Sequence, residues 1–441
     1  MPRLFGTDGI RGIANRYPIT AEMGIRFGRA VVKFCGKRPF IITGRDTRIS
    51  GQMLEFSIIS GILSSGGDVL SCGIIPTPAV AYLVKELKAD AGIVISASHN
   101  PWEYNGFKAF SRTGEKLSEK DEECIEEIME KGYEGETIGE VKTEESVHEK
   151  YQDFLIRSVP KDTSFSDIKA VIDCANGATY RIAPSVFQRL GISLDVIFAS
   201  PDGKNINKGC GSEHPERLKR EVIEKKADVG FAFDGDGDRV LAVDEKGNIL
   251  SGDHLIAIFA LFLKEKGELK RPAVVSTVMS NMGLTKLLKD LGIRHIRTAV
   301  GDRNVSEMMK KEGAILGGEE SGHIIFMNYH TTGDGLLSAI QLLCAMKFFE
   351  KPLSELQKIM RPFPQVKRNV EVREKKDLSE IPELNALIER IKKELSEKGR
   401  VLVRYSGTEP VCRIMVEGED EEKIKGYAEE ISEVIRRKLG K

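Results

Sequence analysis

Nothing in this chain pairs its cysteines: the seven (Cys35, Cys72, Cys124, Cys174, Cys210, Cys344, Cys412) are odd in number, scattered, and form no Cys-x-x-Cys. That usage belongs to free thiols in a reducing compartment and excludes a disulfide framework. Charge of one sign is also lacking, since 66 Lys and Arg stand against 67 Asp and Glu for a formal net charge of −1. No global field therefore draws nucleic acid or an anionic membrane. No signal peptide opens the chain, and its longest apolar run, Leu255 to Leu263, is far too short to span a bilayer. A cytoplasmic protein is expected. The Gly-Lys-Ser/Thr ending of a nucleotide-binding loop and the Gly-x-Ser-x-Gly elbow of acyl-transfer hydrolases are both absent.

What remains is a globular composition, 41% apolar and 30% charged over 441 residues, long enough for more than two domains. The plainest chemistry lies in Phe233-Asp234-Gly235-Asp236-Gly237-Asp238-Arg239-Val240. Apolar runs on both sides read as buried strands, so the acidic segment is a tight loop at a strand end. Residues i, i+2 and i+4 of an extended segment share one side, which lets Asp234, Asp236 and Asp238 converge. Three carboxylates that close repel unless a cation sits among them, and an all-oxygen set suits a hard divalent ion such as Mg²⁺. Arg239 beside them suits a phosphate-bearing ligand. A solvated acidic turn is the plain alternative. A calcium loop matches the one-three-five spacing and Glu245 at the twelfth place, but it needs Gly where Arg239 stands, and helices where strands flank. An aspartyl-phosphate nucleophile after a strand also fits locally and would require support elsewhere.

Three segments share one grammar of strand, helix, strand, helix, strand and chemical loop. The third strands are expected at Gly92–Ile95, Val229–Phe233 and Ala314–Leu316, running into Ser96–Pro101, the Asp loop and Gly317–His323. Such alternation implies α/β layers. The expected fold is three similar α/β domains with mixed, largely parallel sheets, plus a smaller C-terminal α+β domain, around one central cleft. The divisions are expected at residues 1–150, 151–253, 254–365 and 366–441. The acid-rich stretch from Ser118 to Lys150 reads as a solvated helix plus linker.

Ser98 matters by position, because it holds in the first copy the slot of the Asp loop in the second. A serine hydroxyl needs a base or an electrophile to react. If the copies share a cleft, the ion lies beside Ser98, and a phosphate on that serine adds an oxygen ligand for phosphoryl transfer. His99 and Lys108 are nearby candidates for proton transfer or phosphate contact, and each fits a structural role as readily. Glu319, Ser321 and His323 occupy the third slot. The carboxylate and hydroxyl suit sugar hydroxyls or a strand-capping turn, and His323 suits a proton carrier or a satisfied histidine. Arg404, Ser406, Gly407, Thr408 and Arg413 join two C-terminal strands with the donors a phosphate monoester needs. One ion, one serine and two phosphate-handling places suggest moving a phosphoryl group within a phosphosugar.

These stretches, with Leu4-Phe5-Gly6-Thr7-Asp8-Gly9-Ile10-Arg11-Gly12, resemble the α-D-phosphohexomutase family along the full length and in family order. The resemblance implies a phosphorylated Ser98, Mg²⁺ on Asp234, Asp236 and Asp238 with Ser98, and Arg11, His99, Lys108 and His323 in the catalytic set. It further implies sugar contacts from Glu319 and Ser321, and phosphate contacts from Arg239, Arg404, Ser406, Gly407, Thr408 and Arg413. Val300-Gly301-Asp302-Arg303, Thr331 to Gly335, and Asn205-Ile206-Asn207 with Cys210-Gly211-Ser212 resemble the glucosamine branch. Glu213 departs from it, since that branch more often carries Thr there. The implied partner is a phosphosugar, with neither nucleic acid nor membrane, and a homodimer is the assembly to test. A mannose or glucose mutase is the runner-up, followed by an aspartyl-phosphate phosphatase and a non-catalytic binding protein.

Overall fold

The computed structural model describes residues 4–6, 8–135, 137–144, 146–406 and 410–440. By compactness it divides into two units, Met1–Ser280 with Leu288–Ile359, and Asn281–Leu287 with Met360–Lys441. Each is taken by itself. Among the described residues no helix is long and apolar enough to cross a membrane.

The first unit carries three sheets. In chain order the first copy runs β1 (Ile10–Ile13), α1 (Ala21–Cys35), β2 (Phe40–Arg45), α2 (Ile49–Leu63), β3 (Asp68–Ile74), α3 (Thr77–Glu86), β4 (Ala91–Ile95), β5 (Tyr104–Ser111), α4 (Glu119–Lys131), β6 (Val141–Thr143) and α5 (Ser146–Arg157). The second has β7 (Lys169–Asp173), α6 (Ile182–Arg189), β8 (Ser193–Ile197), α7 (Glu216–Lys225), β9 (Val229–Phe233), β10 (Val240–Asp244), β11 (Ile249–Leu250) and α8 (Gly252–Glu265). The third has β12 (Ala273–Thr277), α9 (Met282–Asp290, of which the part up to Leu287 groups with the second unit), β13 (Arg294–Thr298), α10 (Asp302–Glu312), β14 (Leu316–Gly318), β15 (Ile324–Phe326), α11 (Gly335–Phe349) and α12 (Leu353–Leu356).

The sheet orders are β1-β5-β4-β2-β3-β6, β11-β10-β9-β7-β8 and β13-β12-β14-β15. In each, the last parallel strand of the repeat turns back on itself as an antiparallel hairpin: β4 with β5, β9 with β10, β14 with β15. The Ser, Asp and Glu loops are the three hairpin connections. Parallel strands need helical crossovers, whereas a hairpin leaves its short loop free at the carboxyl end of the central strands.

Burial explains why the pattern was readable. β4 and β9 are buried at every position, as continuous apolar runs covered on both faces should be. Helix α1 begins on a Thr20 cap that accepts the Met23 N–H, and packs against α2 at unusually short range. A Cβ at Gly28 would sit 2.3 Å from the Ile58 carbonyl oxygen, and one at Gly61 2.2 Å from that of Ile25. Only glycine permits that approach.

Two expectations need correction. The acid-rich stretch holds the expected helix, α4, with a Ser118–Asp121 capping box and Ile125 and Met129 buried, but the rest is not all linker, since β6 pairs in parallel with β3. Three exposed residues are too few to show a strand period. The third strand of the third copy is Leu316–Gly318, two residues later than expected, because its glycines belong to the hairpin. Residues 150 and 253, at two of the expected divisions, lie inside α5 and α8.

The second unit builds a separate core. Strands β16 (Gln365–Glu371), β17 (Gly399–Tyr405) and β18 (Val411–Gly418) form an antiparallel sheet of order β16-β18-β17, with α13 (Pro382–Leu395) and α14 (Glu421–Leu439). Val370, Ile414, Val416, Leu384, Ile391, Ile424 and Ile431 are its buried centre.

Candidate active site

The serine loop is held from beneath. Ser98 is fully buried and takes a left-handed φ of 51°, a conformation its neighbours must hold in place. Its N–H donates to Ser96 Oγ (2.9 Å), and Ser96 Oγ donates to Asp46 Oδ2 (2.6 Å). Buried Arg48 donates through Nη2 to the Ser98 and Asn100 carbonyls (2.9 and 2.8 Å). Asn207 Nδ2, from the second copy, donates to the same two carbonyls (2.9 and 3.0 Å). Sequence reading missed Asp46 and Arg48 entirely and met Asn207 only as part of a branch motif. A lone buried arginine has no local period to reveal it.

Ser98 Oγ donates to Asp234 Oδ2 at 2.6 Å, so two hairpin loops 136 residues apart meet atom to atom. Asp234, Asp236 and Asp238 are buried and offer ligand oxygens that all lie within 4.8 Å of one another. Among the described residues, Asp236 Oδ1 and Asp238 Oδ1 are buried with no hydrogen-bond partner. Orphaned carboxylate oxygens in a buried triad are what a hard divalent cation requires, so the donor set fits Mg²⁺. Asp234 Oδ1 also accepts the Arg239 N–H at 3.1 Å. Burial, then Asp238 and Asp236, pushes the Asp234 carboxyl well above the usual range.

Lys108, on β5, reaches the same place. Its Nζ donates to Asp236 Oδ2 (2.8 Å) and lies 3.1 Å from Asp8 Oδ2 and 3.8 Å from Asp238 Oδ2. Burial works against its charge, but Asp236, Asp8 and Asp238 outweigh it and push the pKa upward, so the ammonium is held protonated. Asp236 Oδ2 also accepts from Thr77 Oγ1 (2.7 Å), at the start of α3. Burial raises Asp238, but Lys108, His323 and Arg239 carry it below the usual carboxylate range.

These groups close into a ring of alternating sign: Lys108, Asp8, Lys116, Asp302, His323, Asp238 and back to Lys108. His323 Nδ1 lies 3.5 Å from Asp238 Oδ2, and its Nε2 lies 3.6 Å from Asp302 Oδ2 and accepts the Gly333 N–H at 3.1 Å. Burial lowers the affinity of the ring for a second proton, while Asp238 and Asp302 raise it, and the upward pull wins. The amide at Nε2 sets the neutral tautomer, with its proton on Nδ1 toward Asp238. A cavity of about 180 Å³ opens beside the ring, lined by Lys116, Asp302, Arg303, His323, Thr331 and Thr332 among others. Lys116 went unread in the sequence, and Asp302 appeared only inside a branch match.

The remaining residues are placed as follows. Arg11 pairs with Asp8. His99 Nδ1 lies 3.4 Å from Ser98 Oγ, and burial with Arg239 and Arg11 pushes its imidazole down to about 4, leaving it neutral at neutral pH. Arg239 Nε lies 3.8 Å from Asp238 Oδ1. Glu319 Oε1 accepts the Gly301 N–H at 3.1 Å, and Ser321 is exposed at the loop tip. Gly322 has a φ of 88°, and a Cβ there would meet the Val240 carbonyl oxygen at 2.1 Å. That approach lets the Val240 N–H donate to the Gly322 carbonyl (3.1 Å), stitching the Glu loop to the strand after the Asp loop.

In the second unit Arg404 and Arg413 stand directly opposite on β17 and β18. Burial, then Arg413, pushes Arg404 downward. Like charges facing across a ladder destabilise it unless an anion joins them. Ser406 is buried, and its carbonyl accepts Lys375 Nζ at 2.7 Å. Gly407 and Thr408 lie outside the described residues, as does Thr7 of the first motif.

Sequence profiles described as Phosphoglucomutase/phosphomannomutase match this chain in four pieces: alpha/beta/alpha domain I over residues 2–136, domain II over 149–247, domain III over 251–363 and the C-terminal domain over 368–434. The phosphoglucosamine mutase of Syntrophus aciditrophicus is 49% identical, with 100% of both chains covered. A phosphoglucomutase/phosphomannomutase family protein of Burkholderia thailandensis has the same fold at a TM-score of 0.82 and 23% identity, covering 99% of this chain and 97% of that one. The Aspergillus fumigatus N-acetylphosphoglucosamine mutase, solved with GlcNAc-6P and magnesium, superposes at a TM-score of 0.68 and 17% identity, covering 98% of this chain and 95% of that one.

Proposed function

The chain belongs to the phosphoglucomutase/phosphomannomutase family, and from that premise we propose that it is a phosphoglucosamine mutase, interconverting glucosamine 6-phosphate and glucosamine 1-phosphate. It is an isomerase that works by phosphoryl transfer, with Mg²⁺ and a covalent phosphate on Ser98. One observation carries the reading: a buried serine hydroxyl 2.6 Å from an aspartate of a triad that still has two unpartnered carboxylate oxygens.

A sugar hydroxyl attacks the phosphorus of phospho-Ser98, so its O–P bond forms as the Ser98 Oγ–P bond breaks. The product is a 1,6-bisphosphate. It turns over, Ser98 Oγ attacks the other phosphate, and the released hydroxyl marks the isomer. Each attack frees one proton from an alcohol and each departure returns one, so the cycle is proton-neutral. Asp234, Asp236 and Asp238, with the phosphate on Ser98, would hold Mg²⁺, whose positive charge would offset that of the transferring group. Lys108 and Arg11 add charge to the same end, and Lys108 and His323 are the groups we assign to proton transfer. A neutral His99 beside Ser98 donates a hydrogen bond without adding charge. Glu319 and Ser321 read sugar hydroxyls, Arg239 contacts phosphate, and Arg404, Ser406, Gly407, Thr408 and Arg413 hold the phosphate that stays. A phosphatase acting through Asp234 is disfavoured because both its oxygens are already engaged, by Ser98 Oγ and the Arg239 N–H.

The test is kcat/KM for glucosamine 1-phosphate against mannose and glucose 1-phosphates. A preference of roughly tenfold or more is expected, because the charged 2-amino group of glucosamine and the neutral 2-hydroxyl of glucose and mannose differ in charge and in hydrogen-bond donors. Equal or faster turnover of the mannose or glucose phosphates would assign the chain to the other branch.

Asn207 offers a separate check on the serine loop. Its own φ of 58° suits glycine, so Asn207→Gly removes the amide without straining the backbone. Two hydrogen bonds of about 1 kcal/mol each hold Ser98 and Asn100, so kcat is expected to fall by up to about thirtyfold with KM little changed. Steady-state kinetics with unchanged kcat would show that Arg48 alone suffices.

A further inference from the structure

Of the stretches that resemble the glucosamine branch, Thr331 to Gly335 has no assigned role in the phosphoryl transfer, yet its backbone meets the site twice. The Gly333 N–H donates to His323 Nε2 (3.1 Å), and the Gly335 N–H donates to the Gly237 carbonyl (3.0 Å), between Asp236 and Asp238. Both approaches require glycine. A Cβ at Gly333 would lie 2.4 Å from His323 Nε2, and one at Gly335 2.4 Å from the Arg239 carbonyl oxygen. Between them stands Asp334, buried, with no cation paired to it among the described residues. Its Oδ1 accepts the Leu337 N–H (3.0 Å) as the cap of α11, and its Oδ2 accepts from the Tyr151 hydroxyl (2.8 Å) on α5, 183 residues away in the chain. Burial pushes the Asp334 carboxyl up to about 6, so at neutral pH it is a buried charge that those two donors sustain. Tyr151 is itself fully buried, packed beside Tyr82 and Phe154 with ring centroids 6.2 and 6.1 Å away. The start of the segment is anchored too. His330 Nε2 donates to the Pro78 carbonyl (2.8 Å), next to the Thr77 that holds Asp236, and Thr331 Oγ1 donates to the Gly114 carbonyl.

We propose that the Tyr151–Asp334 hydrogen bond is a positioning device that fixes the Gly333 and Gly335 amides, and through them His323 and the Asp loop. A carboxylate with a donor on each oxygen is locked in rotation, so the peptide groups on either side of it keep their N–H directions. Both side chains are positioning residues: they act through the two amides and not on the reacting atoms. Because α5 lies between the first and second copies and Asp334 belongs to the third, the bond ties the helix between two copies to the loop that braces the site from the third. The role rests on the mutase reading, in which His323 and the Asp loop serve one phosphoryl transfer.

Tyr151→Phe keeps the ring and removes only the hydroxyl, and steady-state kinetics with calorimetric titration of the full-length protein by Mg²⁺ test it. We expect kcat to fall roughly tenfold with KM little changed, since Glu319 and Ser321 are untouched, and the Mg²⁺ Kd to rise about threefold or more. Tyr82→Phe, in the same aromatic cluster with its hydroxyl on Arg157 Nη2 (3.2 Å), is expected to leave both unchanged. Asp334→Asn is expected to recover most of what Asp334→Ala loses, because the amide can accept from Leu337 through its oxygen and donate to the Tyr151 oxygen through its nitrogen. Adding Tyr151→Phe to Asp334→Ala is expected to cost nothing further. A Tyr151→Phe protein with wild-type kcat and Mg²⁺ Kd overturns the proposal. So does an Asp334→Asn protein that falls as far as Asp334→Ala, which would assign the effect to charge and not to the hydrogen bond. The Mg²⁺ titration needs no turnover: a wild type inactive on every phosphosugar would overturn the mutase reading, while the Kd of Tyr151→Phe still decides this one.

Discussion

Ser98→Ala is expected to lose mutase turnover by on the order of 10⁴-fold or more, while folding normally. The side chain makes one strong contact, the 2.6 Å bond to Asp234, so its removal costs about 1 kcal/mol of stability. The loop itself is held through main-chain carbonyls by Arg48 and Asn207, which the substitution leaves intact. Turnover is expected to be lost because the hydroxyl proposed to relay the phosphoryl group is gone. Two measurements separate this from misfolding. The coupled mutase assay should fall to background with added 1,6-bisphosphate present. The intact mass should show one phosphate on part of the wild type and none on the variant. A variant with normal turnover would remove Ser98 from the mechanism.

Lys108→Ala is expected to damage both stability and rate. The ammonium is 2% exposed and stands among Asp8, Asp236 and Asp238. Taking away one partner of a buried charge cluster leaves the rest uncompensated, at about 3–5 kcal/mol. On the proton-transfer role proposed for it, kcat is expected to fall by a further 10²–10⁴-fold or so. Because a divalent ion neutralises the same carboxylates, saturating Mg²⁺ is expected to raise the Tm of Lys108→Ala more than that of the wild type. An unchanged Tm without Mg²⁺ would mean that the three aspartates are not charged together in the folded state.

Local pattern made much of this legible. β4 and β9 announced themselves as unbroken apolar runs, and α14 ends where its period ends at Leu439. The Asp loop was readable because three carboxylates at alternate positions of an extended segment must face one way. Where local signal was short or ambiguous, reading failed. Strand β6 has three exposed residues and no period, so its pairing with β3 decided its state. The glycines of β14 read as punctuation, yet their small size is what lets the hairpin close on His323. Arg48 looked like any arginine, although it is one of the largest fully buried side chains.

The sequence by itself determined the long periodic strands and helices, and which three loops carry oxygen and nitrogen ligands. Those depend on period, burial and turn chemistry within a few residues. Only the tertiary structure decided that Ser98 meets Asp234 across 136 positions, and that Lys108 and His323 belong to one ring closed by Asp8, Lys116 and Asp302. Charge pairing across distant loops has no period in the chain. It exists because three hairpins of the same build end on one side of their sheets, where burial makes every unpaired charge costly and so selects its partner.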